Sequence, residues 1–222
     1  MRGKLIVFEG SEGAGKTTQM QRCRLWLQES GILHKYYPSG FSPRILVTAE
    51  PGGTELGQGL RRLLLEQNQR EPIRDRAELF LYAADRAQHI EDFIKPELAR
   101  GSIILCDRFT DSTIAYQGYG RGISLSAIQQ INQIATDGLE GDLTLWLDID
   151  AAAGLKRARY RSTPDRMEAA DLEFHQRVRQ GFIALANAYP HRIVRVDASG
   201  DEEGVAGKIQ AILWEKFTQW MG

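Results

Sequence analysis

Short apolar runs alternate along this chain with longer stretches in which apolar residues recur every three or four positions. The apolar runs predict five β-strands: Lys4–Glu9, Ile45–Ala49, Ser102–Asp107, Leu143–Asp148 and Arg192–Val196. The periodic stretches predict seven helices: Gly15–Ser30, Glu55–Gln67, Ala77–Ala99, Leu125–Ala135, Ala151–Tyr160, Leu172–Tyr189 and Glu202–Met221. Apolar strands that alternate with helices form a parallel sheet covered on both faces, so the pattern predicts an α/β three-layer sandwich.

A glycine-rich stretch follows the first predicted strand directly. Residues 10–18 read GSEGAGKTT, which matches G-x-x-x-x-G-K-[ST] between an apolar run and a helix-forming stretch. In this pattern backbone N–H groups surround a phosphate chain, Lys16 reaches the β- and γ-phosphates, and the Thr17 hydroxyl can ligate Mg²⁺. The alternative is an ordinary turn with a surface lysine, which the strand before it and the helix after it disfavour. We therefore predict a P-loop nucleoside triphosphate hydrolase type of fold that binds the nucleotide through Gly10, Ser11, Glu12, Gly13, Ala14, Gly15, Lys16, Thr17 and Thr18.

Composition narrows the class of protein without identifying it. The chain has 222 residues, 42% hydrophobic and 26% charged, which favours a single globular domain over residues 1–222. A net charge of −1 gives no general attraction to nucleic acid or to a membrane surface. Cys23 and Cys106 are expected to be small buried hydrophobes, and the four histidines lack the spacing of a zinc site. With no signal peptide or membrane span expected, the predicted location is the cytoplasm.

Polar residues follow the second and third predicted strands, where a parallel sheet of this kind places its ligand. The carboxylate of Asp107 can hold Mg²⁺ while Arg108 faces a phosphate; the alternative is a helix N-cap beside a surface arginine. The turn Glu50–Thr54 (EPGGT) would bring backbone close to a ligand, and Arg61 on the next helix could point to the same place.

Two segments have the composition of loops. His34–Arg44 contains two prolines and a glycine, which predicts an exposed excursion before the second strand. Arg159–Asp171 carries several arginines and acids between two helices. A solvated connector is one interpretation of that segment, but in a protein that handles phosphate we favour a mobile lid at about residues 157–171.

Taken together, these stretches resemble bacterial thymidylate kinases, members of the nucleoside monophosphate kinase group. The matching segments are, in order, FEGSEGAGKTT, EPGGT, AELFLYAADRAQH, CDRFTDSTIAYQGYGRG, LWLDID, GLKRARYR with DRME, and VDAS. The resemblance implies transfer of the γ-phosphoryl group of ATP to dTMP, giving dTDP and ADP, with Mg²⁺ held near Thr17 and Asp107. It also implies a homodimer built on the predicted helix Ala77–Ala99, although the apolar residues of that helix could serve equally as intramolecular core.

The resemblance also implies how the acceptor is recognised. Tyr82 would stack on thymine, and Arg86, one helical turn later, would donate to its O4, where cytosine presents a donor instead. Without the resemblance, Tyr82 could be core and Arg86 could form a surface ion pair with Asp85. The remaining assignments place Thr113 and Gln117 at the base, Tyr116 against a ribose 2′-hydroxyl (or closing a turn), Glu12 at the 3′-hydroxyl, Glu50 and Pro51 in the acceptor site, and Arg61 and Arg108 on the acceptor phosphate.

Thymidylate kinases differ in where they place the arginine that contacts the transferred phosphoryl group. The phosphate loop here has no arginine, whereas the lid has four: Arg157, Arg159, Arg161 and Arg166. The chain therefore resembles the lid-arginine group, in which we expect Arg161 to act with Lys16, Arg108 and Glu12 in catalysis. Arg157 is expected near the adenine or a lid carboxylate. Asp165 and Glu168 are expected to hold the closed lid through ion pairs.

The chain departs from the family pattern in two places. Ala49 stands before EPGG where the family usually has arginine, and the His34–Arg44 excursion is longer than usual. Two other functions remain open from the sequence. One is a kinase for a deoxynucleoside or for another monophosphate, and the other is a nucleotide-dependent regulatory switch. A switch would not need an aromatic acceptor pocket, so Tyr82 and Arg86 argue against it.

Overall fold

A parallel sheet of five strands organises the protein. The computed structural model describes residues 2–38, 40–66, 71–161 and 165–221, apart from the side chains of Arg161 and Met221. The strands are β1 (Lys4–Glu9), β2 (Ile45–Ala49), β3 (Ile103–Asp107), β4 (Leu143–Asp148) and β5 (Ile193–Asp197), in the order β2-β3-β1-β4-β5. Every neighbouring pair is parallel, which confirms the predicted class. Three strand bounds were wrong by one residue, since Ser102 and Arg192 lie before their strands and β5 continues past Val196 to Asp197.

Helices cover both faces of this sheet. They are α1 (Lys16–Glu29), α2 (Ile32–Tyr36), α3 (Glu55–Leu65), α4 (Asp75–His89), α5 (Lys95–Ala99), α6 (Thr110–Thr113), α7 (Leu125–Thr136), α8 (Ala151–Arg161), α9 (Leu172–Ala188) and α10 (Glu202–Met221). A π-helical segment, Ile90–Ile94, joins α4 to α5, and another, Ile114–Gly120, continues α6. Among the described helices, none combines the length and the apolar character needed to cross a membrane.

The predicted helix Ala77–Ala99 differs from the observed one at its start and in its interior. It begins two residues earlier, at Asp75, because Asp75 and Glu78 in the first turn favour the positive end of the helix dipole. It also contains the π-helical segment, which ends just before Pro96. Proline has no N–H to donate to the preceding turn, so a helical hydrogen bond is missing there, and α5 has Pro96 in its first turn. The other predicted helix bounds differ by at most two residues, both ends of Glu202–Met221 are correct, and Gln67 lies outside the described residues.

The segment His34–Arg44 is not wholly an exposed excursion, as its composition predicted. Its first residues belong to α2, and Tyr36 and Tyr37 are buried. Tyr36 packs edge-on against Phe217 of α10 at 5.3 Å, and the Tyr37 hydroxyl donates to Gly101 O at 2.8 Å. The area that two aromatic rings remove from water outweighs the local turn signals. The later residues that the structure describes, such as Phe41 and Arg44, are exposed.

The helical stretch from Thr110 to Gly120 was not predicted either. Its β-branched and glycine residues have low helix propensity, so tertiary contacts must stabilise it. The buried carboxylate of Glu9, at the end of β1, accepts hydrogen bonds from the N–H groups of Phe109 and Ser112 at its start. This stretch carries Thr113, Tyr116 and Gln117 to the carboxyl edge of the sheet.

Candidate active site

The phosphate loop has the strained backbone that its glycines permit. Gly13 and Gly15 adopt positive φ angles of 70° and 88°, a region that residues with a Cβ rarely enter. Lys16 folds back over the loop, and its Nζ donates to Gly10 O at 2.9 Å and Ser11 O at 3.1 Å. Burial lowers the pKa of Lys16, and the nearby Arg108 lowers it further. The loop thus holds a cation over a concave backbone suited to phosphate.

Helix α8 lies directly against this loop. A Cβ on Gly13 would stand 2.0 Å from Gly154 O, and one on Gly154 would stand 2.4 Å from Glu12 O. Only glycine on both sides allows this approach. The contact brings α8, which leads into the predicted lid, beside the loop.

One cleft at the carboxyl edge of the sheet contains all the predicted acceptor residues. Its walls include Glu12, Glu50, Pro51, Arg61, Tyr82, Arg86, Arg108, Thr113, Tyr116 and Gln117, together with Lys16, Thr17 and Asp107. Arg157 and Thr18 lie instead at a neighbouring depression bounded by Gly13, Gly15 and residues 198–202. The chain therefore presents two adjoining hollows on either side of the phosphate loop.

Three side chains form the connection between the phosphate loop and the cleft wall. Arg108 Nη2 donates to Glu12 Oε1 at 2.5 Å, and the Tyr116 hydroxyl donates to the same oxygen at 2.9 Å. The Arg108 guanidinium also lies 4.8 Å from the centroid of the Tyr116 ring. Burial by itself would raise the pKa of Glu12, but the positive charges of Arg108 and Lys16 lower this pKa to about 2. Glu12 is thus an anion that orients Arg108, and Arg108 is not the surface side chain of the alternative interpretation.

Arg108 itself has an unusual backbone, with a φ of 69°. For a residue with a Cβ such a conformation costs roughly 1–3 kcal/mol and is found mainly at functional sites. Hydrogen bonds on each side hold it: Arg108 N donates to Phe8 O, and Phe109 N donates to Glu9.

Arg86 is buried, and the proposed alternative of a surface ion pair with Asp85 is wrong. Its Nε donates to Glu50 Oε2 at 2.7 Å, and its Nη1 donates to Asn132 Oδ1 at 2.8 Å. The second Glu50 oxygen lies 2.9 Å from His89 Nδ1. Asp85 accepts from Gly52 N instead, and burial, with the Glu50 charge, raises the pKa of Asp85 to about 6. Arg86 is therefore fixed by a hydrogen-bonded network behind the cleft.

The EPGG turn and Arg61 fit closely together. Arg61 Nη1 donates to Pro51 O at 2.8 Å. Gly52 has a φ of 117°, and a Cβ there would stand 3.0 Å from Arg61 Cδ. The glycine therefore lets Arg61 cross the turn and reach the cleft, as the sequence suggested.

The base end of the cleft contains an aromatic ring and an oriented amide. Tyr82 is half-buried and lines the cleft, and burial together with the charge of Glu78 raises its pKa. Gln117 Nε2 donates to Glu78 Oε1 at 2.7 Å. The Tyr82 side chain is therefore neither fully buried in the core nor fully exposed, and it lines the cleft.

The lid arginines occupy different surroundings. Arg157 donates to Ala198 O at 3.0 Å and Ser199 O at 2.9 Å, beside the second hollow. Arg166 Nε donates to Leu64 O at 2.7 Å. Arg159 is exposed, and the side chain of Arg161, in the last turn of α8, lies outside the described residues.

The lid acids Asp165 and Glu168 make hydrogen bonds within their own turn. Asp165 Oδ1 accepts from Met167 N and Glu168 N, and Glu168 Oε2 accepts from Asp165 N. Both residues line the cleft. The turn is thus folded onto the acceptor side of the site.

Comparison with known proteins decides the family. The thymidylate kinase family model matches residues 8–209. The chain belongs to the thymidylate kinase family. A thymidylate kinase from a Cyanothece species is 58% identical over 99% of this chain and 97% of the relative, and one from Nostoc punctiforme is 56% identical over 96% of each. The crystal structure of thymidylate kinase from Ehrlichia chaffeensis superposes with a TM-score of 0.75 at 32% identity, covering 96% of this chain and all of that one.

Within this thymidylate kinase fold, four buried residues that contact the site were missed at the sequence level: Glu9, Glu78, His89 and Asn132. Glu78 and His89 lie in the segment AELFLYAADRAQH, and Glu9 lies in FEGSEGAGKTT. The available signal was a charged or polar residue inside an otherwise apolar pattern, because such a residue needs a buried partner. Asn132 gave no comparable signal, since a polar residue on an amphipathic helix is usually solvated.

Proposed function

We propose that this cleft transfers the γ-phosphoryl group of ATP to dTMP, giving dTDP and ADP. Membership of the thymidylate kinase family gives the reaction, and one observation ties it to these residues. The phosphate loop with Lys16 and an aromatic, arginine-lined pocket share a single cleft. Phosphoryl transfer needs donor and acceptor aligned in line, with charge neutralised on the moving group, and this arrangement supplies both.

The acceptor phosphate is held by Arg61 and Arg108 in this proposal. Arg108 is already oriented by Glu12, and Arg61 by Pro51 O, so little side-chain entropy is lost on binding. Glu12 keeps its charge at neutral pH and can accept from the sugar 3′-hydroxyl. Tyr116 lies against Glu12, in a position to exclude a 2′-hydroxyl.

Base recognition rests on Tyr82, Arg86 and Gln117, with Thr113, Glu50 and Pro51 completing the pocket. The Tyr82 ring provides a stacking face. Three of the five N–H groups of Arg86 are engaged with Glu50, Asn132 and Phe109 O, which leaves two N–H groups for a ligand. A pyrimidine O4 can accept one of them, whereas the amino group of cytosine cannot.

The residues present fit a magnesium ion. Asp107 Oδ1 is buried and has no hydrogen-bond partner among the described residues, and the Thr17 hydroxyl lies at the same cleft. Both are oxygen donors of the kind that Mg²⁺ prefers, and phosphate oxygens and water would complete its coordination. When bound, the ion would neutralise charge on the β- and γ-phosphates.

In this proposal the second hollow receives the donor nucleotide. Arg157, fixed by Ala198 O and Ser199 O, can stack on the adenine there, with Thr18 at the loop. The contact of Gly13 with Gly154 places α8 beside the phosphates. This supports Arg161, seven residues later on α8, as the lid arginine of the transition state, within a single domain whose lid spans about 157–171.

The proposal extends to assembly and location. Leu56, Leu63 and Phe80 are large apolar side chains, 53%, 44% and 60% exposed, on the packed helices α3 and α4. Isolated apolar residues are common on surfaces, but three on two neighbouring helices support a homodimer through the predicted long helix Ala77–Ala99, which carries Phe80. We place the enzyme in the cytoplasm, where its substrates are made.

A coupled assay of ADP release tests the function. Each nucleoside monophosphate, and thymidine, is offered with ATP and Mg²⁺. Rapid turnover with dTMP, with dUMP as a weaker second, is expected, because dUMP lacks only a methyl group. Turnover with thymidine or another monophosphate would overturn the acceptor assignment, and slow hydrolysis indifferent to every acceptor would favour a regulatory switch.

A further inference from the structure

Glu78 of α4 is a wholly buried carboxylate with partners on two sides of the cleft. Its side chain is 0% exposed. Gln117 Nε2 donates to Oε1 at 2.7 Å, and Arg166 Nη2 lies 2.6 Å from Oε2, within ion-pair distance although not aligned as a hydrogen bond. Arg121 Nη2 lies 3.4 Å from Oε2 as well. A buried charge needs such compensation, so Glu78 holds these groups firmly.

The first of these partners belongs to the base pocket. A carboxylate only accepts hydrogen bonds, so the amide of Gln117 must turn its NH₂ toward Glu78. Its carbonyl oxygen is then the atom left to accept an N–H from a ligand. Tyr82, four residues after Glu78 on α4, lies on the same helix face and also lines the pocket. Glu78 therefore sets the polarity of one side of the base pocket.

The second partner belongs to the turn Asp165–Glu168, which we name the DRME turn. Arg166 fastens this turn through three contacts: to Glu78, to Leu64 O at 2.7 Å through Nε, and to Leu65 O at 3.2 Å through its backbone N. The neighbours of Arg166 in this turn line the acceptor cleft. Because these contacts hold Arg166, we do not expect it to contact the transferred phosphoryl group.

We propose that Glu78 is a positioning residue that couples occupancy of the base pocket to the seating of the DRME turn. A base that engages Gln117 fixes the amide against Glu78, which keeps the carboxylate in place for Arg166. The coupling is reciprocal, so a seated turn also favours the bound base. This inference rests on the proposed binding of dTMP in this cleft.

Hydrogen exchange of the full-length protein tests the coupling. Amide exchange in residues 165–171 is followed by mass spectrometry without ligand and with dTMP alone at a concentration shown by calorimetry to saturate each variant. In the unmodified protein, dTMP is expected to slow this exchange roughly fivefold or more. In Glu78→Gln and in Arg166→Gln the slowing is expected to disappear although dTMP is bound.

Glu97→Gln is the matched control, because Glu97 is also a buried carboxylate held by two arginines and a hydroxyl, away from the cleft. It should keep the full dTMP effect. Equal slowing in Glu78→Gln and the unmodified protein would overturn the proposal. If Glu78→Gln does not fold, Arg166→Gln decides by the same criterion, since its side chain is 19% exposed and easier to replace.

A double-mutant cycle gives a second readout. If Glu78 and Arg166 act as one unit, the double variant should lose no more kcat/KM than the worse single variant. The loss would then be smaller than the product of the two single losses by a factor on the order of ten. Additive effects would contradict the proposal. Absence of any dTMP binding to the unmodified protein would instead refute the proposed acceptor site, so the two failures are distinguishable.

Discussion

Gly13 and Gly154 meet so closely that a Cβ on Gly13 would lie 2.0 Å from the carbonyl oxygen of Gly154. The phosphate loop and helix α8 are therefore in backbone contact, and no side chain fits between them. Any displacement of α8 would therefore also move Arg157 and Arg161, which lie on this helix, relative to the loop.

Gly154→Ala should disturb this contact. Its Cβ would stand 2.4 Å from Glu12 O, so helix and loop must separate, at a cost of about 1–3 kcal/mol in stability. We expect a lower kcat and a higher KM for ATP, with dTMP affinity nearly unchanged, in steady-state kinetics. Gly207→Ala in α10 is the control, because a Cβ there meets nothing within 4 Å. Unaltered ATP kinetics in Gly154→Ala would show that the close contact has no functional role.

Lys16→Ala should abolish most turnover while leaving the fold intact. Among the described residues the ammonium donates hydrogen bonds only to loop carbonyls, so its loss removes little native stabilisation. Loss of one preorganised charge on the transferred phosphoryl group lowers kcat by roughly 10²–10³-fold. Turnover and circular dichroism, measured on the same preparation, test the loss of activity and the survival of the fold. Near-normal turnover would refute the phosphate-loop assignment.

Substitutions of the predicted lid arginines should change different kinetic constants. Arg161→Ala is expected to lower kcat on the order of 10³-fold with little change in dTMP affinity, since the contact strengthens in the transition state. Arg157→Ala should mainly raise the KM for ATP, because Arg157 borders the hollow proposed to hold the adenine. Arg159→Ala is the matched control. A large kcat loss in Arg159→Ala instead of Arg161→Ala would reassign the catalytic arginine.

Arg86→Ala should cost both selectivity and stability. Discrimination between dTMP and dCMP is expected to fall by about 1–3 kcal/mol, because a mismatched buried donor is no longer present. Removing the guanidinium also leaves Glu50 Oε2 buried without its arginine partner, which costs about 3–5 kcal/mol in unfolding free energy. Relative kcat/KM values and denaturant unfolding test these effects. A change confined to ATP affinity would exclude a role in base recognition.

Glu9 should make stability depend on pH. Burial, reinforced by the Asp111 carboxylate, raises the pKa of Glu9 from 4.5 to about 7. Between these values the folded protein holds a proton that the unfolded chain has lost. The stabilising effect of that proton is full below pH 4.5 and disappears as the pH rises through 7.

Glu9→Gln tests this dependence, because glutamine resembles the protonated acid. Relative to the unmodified protein, the variant should gain about 3 kcal/mol of stability between pH 4.5 and pH 8. Urea unfolding of both proteins at several pH values measures the difference. A difference that does not vary with pH would mean that Glu9 titrates at its ordinary pKa.

Local sequence was sufficient for the sheet, the phosphate loop and the residues of the cleft. All five strands were found because buried parallel strands are continuous apolar runs, which a local pattern records. The loop was found because its glycines and Lys16 carry out their chemistry within nine residues. Glu50, Pro51 and Arg108 come from segments that follow a strand, and the ends of parallel strands meet at one edge. Tyr82 and Arg86 lie within a helix, and only the resemblance to thymidylate kinases pointed to them.

Only the tertiary structure decided which groups act on one another. Glu78 lies 39 residues from Gln117 and still farther from Arg166, and no local pattern records which charges a fold brings together. The helix at Thr110–Gly120 and the burial of Tyr36 and Tyr37 were missed for the same reason. Long-range burial and hydrogen bonds stabilised conformations that the local propensities of these residues oppose.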